Sequence, residues 1–108
     1  MPVRESAQEV SYRERMQIRF YLDPISGEPH IWRHGVTETE VRQALLARSE
    51  DRPGADGSRV GIGRTEGGWY VRVIYVREQV RGSILVLTAY ELSGQALWAF
   101  RRRRRRTR

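Results

Sequence analysis

The chain has 108 residues, room for one domain and one modest core. It contains no cysteine, which excludes disulfides, thiolate metal sites and cysteine nucleophiles together. No apolar run approaches the roughly 20 residues that a helix needs to span a membrane.

The 20 basic residues are all arginine and stand against 13 acidic ones, for a formal net charge of +7. Seven of the last eight residues are arginine, so the body is neutral and its end is a polycation. Such a block attracts phosphate oxygens and releases counterions, which suits nucleic acid, though an acidic protein would also satisfy it. With arginine in place of lysine throughout, the cations favour planar, bidentate phosphate contacts.

Residues 1–15 carry little apolar pattern and no hydrophobic signal core, so they read as a flexible arm on a cytoplasmic protein. Met16, Ile18, Phe20 and Leu22 then alternate with polar positions, the period of a half-buried strand. Asp23, Pro24, Ser26 and Gly27 predict a tight turn. A short helix over residues 29–34 opens at Pro29 and closes at Gly35. Thr37 and Glu40 form a capping box, with Val36 and Val41 as its hydrophobic staple, and predict an amphipathic helix over residues 38–48. Asp51, Pro53, Gly54 and Gly57 predict a loop.

Three strands follow, over residues 59–65, 69–78 and 83–90, with turns at Glu66-Gly67-Gly68 and around Gly82. The last is apolar on both faces and is expected at the centre of an antiparallel meander. Ser93 starts a final helix in which Ala96, Leu97 and Phe100 share one side. The arginine run beyond Phe100 reads as a solvated tail, because like charges four apart on a helix repel. These elements predict an α+β domain: a small antiparallel sheet with two N-terminal helices and a C-terminal helix, in the order β-α-α-β-β-β-α. The domain spans residues 16–100, with the polyarginine tail over 101–108.

Four local strings carry a resemblance: His34-Gly35-Val36, Ile62-Gly63-Arg64-Thr65, Arg72-Val73-Ile74-Tyr75-Val76 and Leu87-Thr88-Ala89-Tyr90. Taken in order over residues 16–106, they resemble the BrnT-like toxins and their small bacterial relatives. The resemblance implies a RelE-like fold and a metal-independent endoribonuclease that stops translation and is silenced by a cognate antitoxin. It also implies RNA as a partner and no cofactor.

Metal-free RNA cleavage needs a base, an acid and cations at the phosphorane. Arg64 and Arg72 are charges in otherwise apolar strands and must emerge on an open face or be paired. By the resemblance Arg64 is the phosphate stabiliser. His34 is the candidate acid or base, and Tyr75, with Tyr90, a candidate for positioning RNA or donating a proton. Each has a structural alternative: surface ion pairs for the arginines, a helix-end contact for His34, sheet packing for the tyrosines.

Arg101, Arg102, Arg103, Arg104, Arg105 and Arg106 are the candidate nucleic-acid contacts. Trp32, Trp69 and Trp98 are candidate base platforms, with core packing the stronger expectation for Trp69. His30 and His34 have zinc-site spacing, but Ile31 replaces the acid of the protease motif and no third ligand is evident, so no metal is expected. Gly61-Ile62-Gly63 lacks the helix a dinucleotide loop requires. The rival to a ribonuclease is a non-catalytic module that binds nucleic acid or a protein through its tail.

Overall fold

The computed structural model describes residues 17–80 and 82–106. Its elements in chain order are β1 (Gln17–Phe20), a 3-10 helix (His30–His34), α1 (Glu38–Leu46), β2 (Arg48–Pro53), a short 3-10 turn (Ala55–Gly57), β3 (Arg59–Arg64), β4 (Tyr70–Arg77), β5 (Ser83–Glu91) and α2 (Gly94–Arg106). The arm expected over residues 1–15 lies outside the described residues. None of the described helices is long and apolar enough to cross a membrane.

The strands form one five-stranded sheet in the order β1-β5-β4-β3-β2. β2 through β5 pair antiparallel, while β1 runs parallel to β5 with Ile18 opposite Ile84 and Phe20 opposite Val86. The sheet is therefore mixed, and the expected order β-α-α-β-β-β-α in a purely antiparallel, RelE-like sheet is corrected. Two α-helices and five strands replace three helices and four strands. The meander of β3, β4 and β5 is as expected; β5 has strands on both sides, but β4 and not β5 is the middle strand of the sheet.

The unforeseen strand is β2. The helix expected to reach residue 48 ends at Leu46, and the segment read as a loop pairs with β3 from Arg48 to Pro53. It has no apolar alternation because it is an edge strand, and charge and proline are what keep an edge from pairing further. Its charges are matched: Arg48 and Arg59 flank Asp51, at 3.4 and 3.0 Å. The 29–34 segment forms a 3-10 helix instead of an α-helix, closed by Gly35 at φ 73° with its N–H on the carbonyls of Ile31 and Trp32.

The start of α1 follows the expected capping box. The Thr37 hydroxyl accepts from the Glu40 N–H at 3.2 Å, and the Glu40 carboxylate accepts from the Thr37 N–H at 2.9 Å. Val41, Ala44 and Leu45, one helical stripe, pack on Val71, Val73 and Tyr75 of β4 and on Ile84, Val86 and Ala89 of β5, with Ile31 and Val36 completing this core. Period two alone would turn Ala89 away from Val86. A bulge between these positions sets Thr88 opposite Ile74 and Val86 opposite Tyr75, so Leu87 is the extra residue and the phase is restored. Gly63 lets the helix lie directly on β3: a Cβ there would sit 1.8 Å from the Ala44 carbonyl oxygen.

The opposite face carries a second, smaller cluster of Ile62, Leu92 and Phe100, with Tyr70 and Leu97 against it. Here α2 crosses the sheet. The arginine run does not break away as a tail; Arg101 through Arg106 continue the helix. Arginine is itself a good helix former, and positive charge is favourable at the C-terminal end of the helix dipole. Contacts from Arg103 and Arg104 to the sheet offset the repulsion.

Candidate nucleic-acid interface

On α2, positions 97, 100 and 103–104 form the stripe that faces the sheet. Leu97 and Phe100 bury apolar surface, and one turn further on two arginines reach back across it. Arg103 grips the Glu50 carboxylate of β2 with two hydrogen bonds of 2.9 Å, from Nε and Nη2. Arg104 Nη1 donates to the Tyr70 hydroxyl at 2.7 Å, and its guanidinium lies near the rings of Tyr70 and Phe100. The Arg103 hydrogen bonds hold the Glu50 carboxyl below its ordinary value against the opposing effect of burial, with Arg52 and Arg72 adding to the same direction. The same pair raises Arg103.

The neighbouring stripe, Trp98, Arg101 and Arg105, follows the i, i+3, i+7 spacing of one helix face. With Arg104 it forms one wall of a concave surface of about 850 Å³. The other wall is the β3–β4 hairpin: Arg64, Gly68 and Tyr70, with Ser49 of β2 at its margin. The hairpin is fixed at both ends. The Thr65 N–H donates to the Trp69 carbonyl at 2.8 Å, and the Glu66 N–H donates to the Gln43 side chain of α1 at 3.0 Å. Arg64 is exposed, and its Nε donates to the Gly68 carbonyl at 3.2 Å, which aims the guanidinium along the hairpin. Four arginines and no acidic residue line the cleft. Outside it, the Arg102 guanidinium lies over the Trp98 ring at 4.7 Å, the i, i+4 neighbour on the helix.

Arg72 lies on the same face of the sheet. It is two residues along β4 from Tyr70 and pairs in register with Ile62 on one side and Tyr90 on the other. Its Nη1 is 3.2 Å from the Tyr90 hydroxyl, while its Nε is buried without a hydrogen-bond partner. The His34 ring is exposed and stands 5.9 Å from the Tyr90 ring, centroid to centroid. So Arg72 and His34 are brought together through Tyr90, and Arg64 belongs to the cleft beside them.

Tyr75 is elsewhere. It is buried on the α1 face, and its hydroxyl donates to Asp51 at 2.5 Å. Burial, then that hydrogen bond, raises its hydroxyl above the ordinary tyrosine value. The sheet therefore separates Tyr75 from Arg64 and Arg72, and its position is that of a packing residue.

Of the six tail arginines, Arg101, Arg104 and Arg105 line the cleft, Arg103 is engaged by Glu50, and Arg102 covers Trp98; Arg106 ends the helix. Trp69, expected in the core, is 40% exposed and its ring lies over Gly67. The Trp32 indole N–H donates to Glu38 at 2.7 Å. His30 and His34 meet edge to face at 5.6 Å, yet no group of three or more His, Cys, Asp or Glu gathers for a metal among the described residues. Tyr70 and Glu50 were not singled out by sequence. Tyr70 was visible in principle as the residue alternating with Arg72 on the polar side of its strand; Glu50 had no such signal inside an apparent loop.

The fold and cleft define a small α+β domain with an arginine-lined surface formed by its last helix and a hairpin. Compared with family models, with curated proteins and with solved structures, the chain matches none.

Proposed function

We propose that this is a cytoplasmic RNA-binding protein that holds the phosphate backbone in the cleft between α2 and the β3–β4 hairpin. The observation that carries the reading is the convergence of Arg64, Arg101, Arg104 and Arg105 around one concavity whose lining has no acidic residue. Guanidinium groups from two separate elements give phosphate contacts with direction as well as charge. The Arg103–Glu50 clamp supports the same reading, because it fixes the helix that carries three of the four.

Fluorescence polarisation of a labelled, unstructured RNA tests this. Four phosphates neutralised on a single strand correspond to a slope of about −3 in log K against log salt. A slope near zero, or no binding at 50 mM salt by folded protein, overturns the proposal.

The Arg72–Tyr90–His34 row favours a second reading, in which the same face cleaves RNA without metal, as the resemblance to toxins of toxin–antitoxin pairs implies. Arg72 would stabilise the phosphorane and His34 would move a proton, beside a backbone held by the cleft. A cognate antitoxin would then be the protein partner. RNA incubated with the protein in excess chelator should be cleaved, and Arg72→Ala should slow cleavage by about a hundredfold or more. Intact RNA after incubation with folded protein rejects the enzymatic reading and leaves the binding one.

A further inference from the structure

We propose that the cleft accepts an unpaired nucleobase stacked on Trp98, so that its ligand is single-stranded RNA and not a duplex. The inference rests on the RNA reading above and specifies the form of RNA taken.

Two aromatic side chains line the cleft, and they differ in what they are free to do. The Tyr70 ring is half-buried and packed on Phe100 at 4.9 Å, and its hydroxyl accepts from Arg104. It is committed to holding α2. Trp98 is 58% exposed although it stands beside the partly buried Leu97 and two residues from the buried Phe100 on the same helix. An indole left this open on a small domain forgoes burial that its neighbours Leu97 and Phe100 obtain. Arg102 lies over one face of its ring at 4.7 Å, and the indole also borders the cleft. A base that enters from the cleft and takes the ring face opposite Arg102 would complete a stack of base, indole and guanidinium, in which each flat group covers the next.

The surrounding charge fits the same ligand. Arg101 and Arg105 follow Trp98 on one helix face and are separated by about 6 Å along the axis. They are therefore placed for successive phosphates of a strand whose base is on Trp98. In a duplex the base is already stacked and paired, and only the phosphates would be available. The other two tryptophans lack this setting. Trp32 is tied to Glu38, whose charge repels phosphate, and Trp69 is outside the cleft lining.

The test compares three ligands on the full chain and on Trp98→Ala and Trp98→Phe: an unstructured RNA, an RNA duplex of equal length, and heparin, a polyanion without bases. The single strand should bind at least about tenfold tighter than the duplex at 150 mM salt. Trp98→Ala should weaken the single strand about tenfold, in the range known for loss of one stacked base, and leave heparin binding and the salt slope unchanged. Trp98→Phe should recover most of the loss.

If Trp98→Ala weakens heparin as much as RNA, the indole supports the helix and does not stack a base, and the proposal is wrong. If both variants bind every ligand as the parent does, the base site is likewise rejected while the phosphate cleft stands. If neither RNA nor heparin binds the parent protein, the RNA reading falls and this inference falls with it.

Discussion

The two faces of the sheet are built on different principles. The α1 face carries the larger hydrophobic cluster, with the Tyr75 hydroxyl donating to Asp51 at its edge. The α2 face has three buried apolar residues, and beyond them the contact continues as Arg103 to Glu50 and Arg104 to Tyr70. The first face holds the fold together through area removed from water. The second holds a charged helix in one orientation through directed hydrogen bonds. A surface proposed to bind a polyanion needs that second kind of support, because its arginines repel one another and cannot be buried.

Substitutions on the two faces should therefore separate stability from binding. The largest effect is expected from Gly63→Ala, whose Cβ would collide with the backbone of α1 at Ala44. Neither helix nor strand can move away without opening the main core. A loss of about 3 kcal/mol or more is expected, read as a lower urea midpoint for the whole chain.

Phe100→Ala comes next, at about 3 kcal/mol, but it is expected to act locally. Hydrogen exchange should increase in α2 while β4 and β5 keep their protection, and RNA affinity should fall with α2. Protection lost equally across the sheet would show that the two faces are one cooperative unit.

Glu50→Gln removes the charged partner of Arg103 and is expected to cost about 1–2 kcal/mol. The sign with pH follows from the depressed carboxyl. Its contribution is full above the ordinary value of 4.5 and disappears as pH falls through the lower folded value. The parent should lose α2 protection below pH 4.5, whereas Glu50→Gln should show little of that dependence. Thr37→Ala, at about 1 kcal/mol, removes the cap of α1 and should lower stability on the α1 face without altering RNA affinity.

How much of this was legible depended on whether a residue's role was local. The capping box of α1, the turn at Asp23 and the three-strand meander are fixed by neighbours in sequence, and residues such as Thr37, Glu40 and Gly27 announce them. β2 was not legible, since Arg48, Glu50, Asp51 and Arg52 gain strand structure only when β3 is beside them. The parallel pairing of β1 with β5 joins residues more than 60 positions apart, and no pattern within Gln17–Phe20 specifies it.

At the site, Arg64 and the tail arginines could be named from sequence as candidates. Their convergence could not, because it depends on Glu50 and Tyr70 turning a run that looks like a free polycation into an anchored helix. Tyr75, named beside Arg72 as a candidate with sheet packing as its alternative, lies on the α1 side; alternation along β4 already turns the two residues opposite ways, and the sequence leaves open only which side carries α2.

The central claim is that position on α2, and not net charge, makes the cleft an RNA site. The most direct measurement compares two double variants of equal charge, Arg101→Gln with Arg105→Gln, and Arg42→Gln with Arg77→Gln. Arg42 and Arg77 are also exposed but lie outside the cleft lining. RNA titrations at several salt concentrations should show the first pair losing about 1.4 from the salt slope, two contacts at about 0.7 each. The second pair should keep the parental slope. Equal losses in the two pairs would contradict the account and reduce the arginine helix to an unspecific polycation.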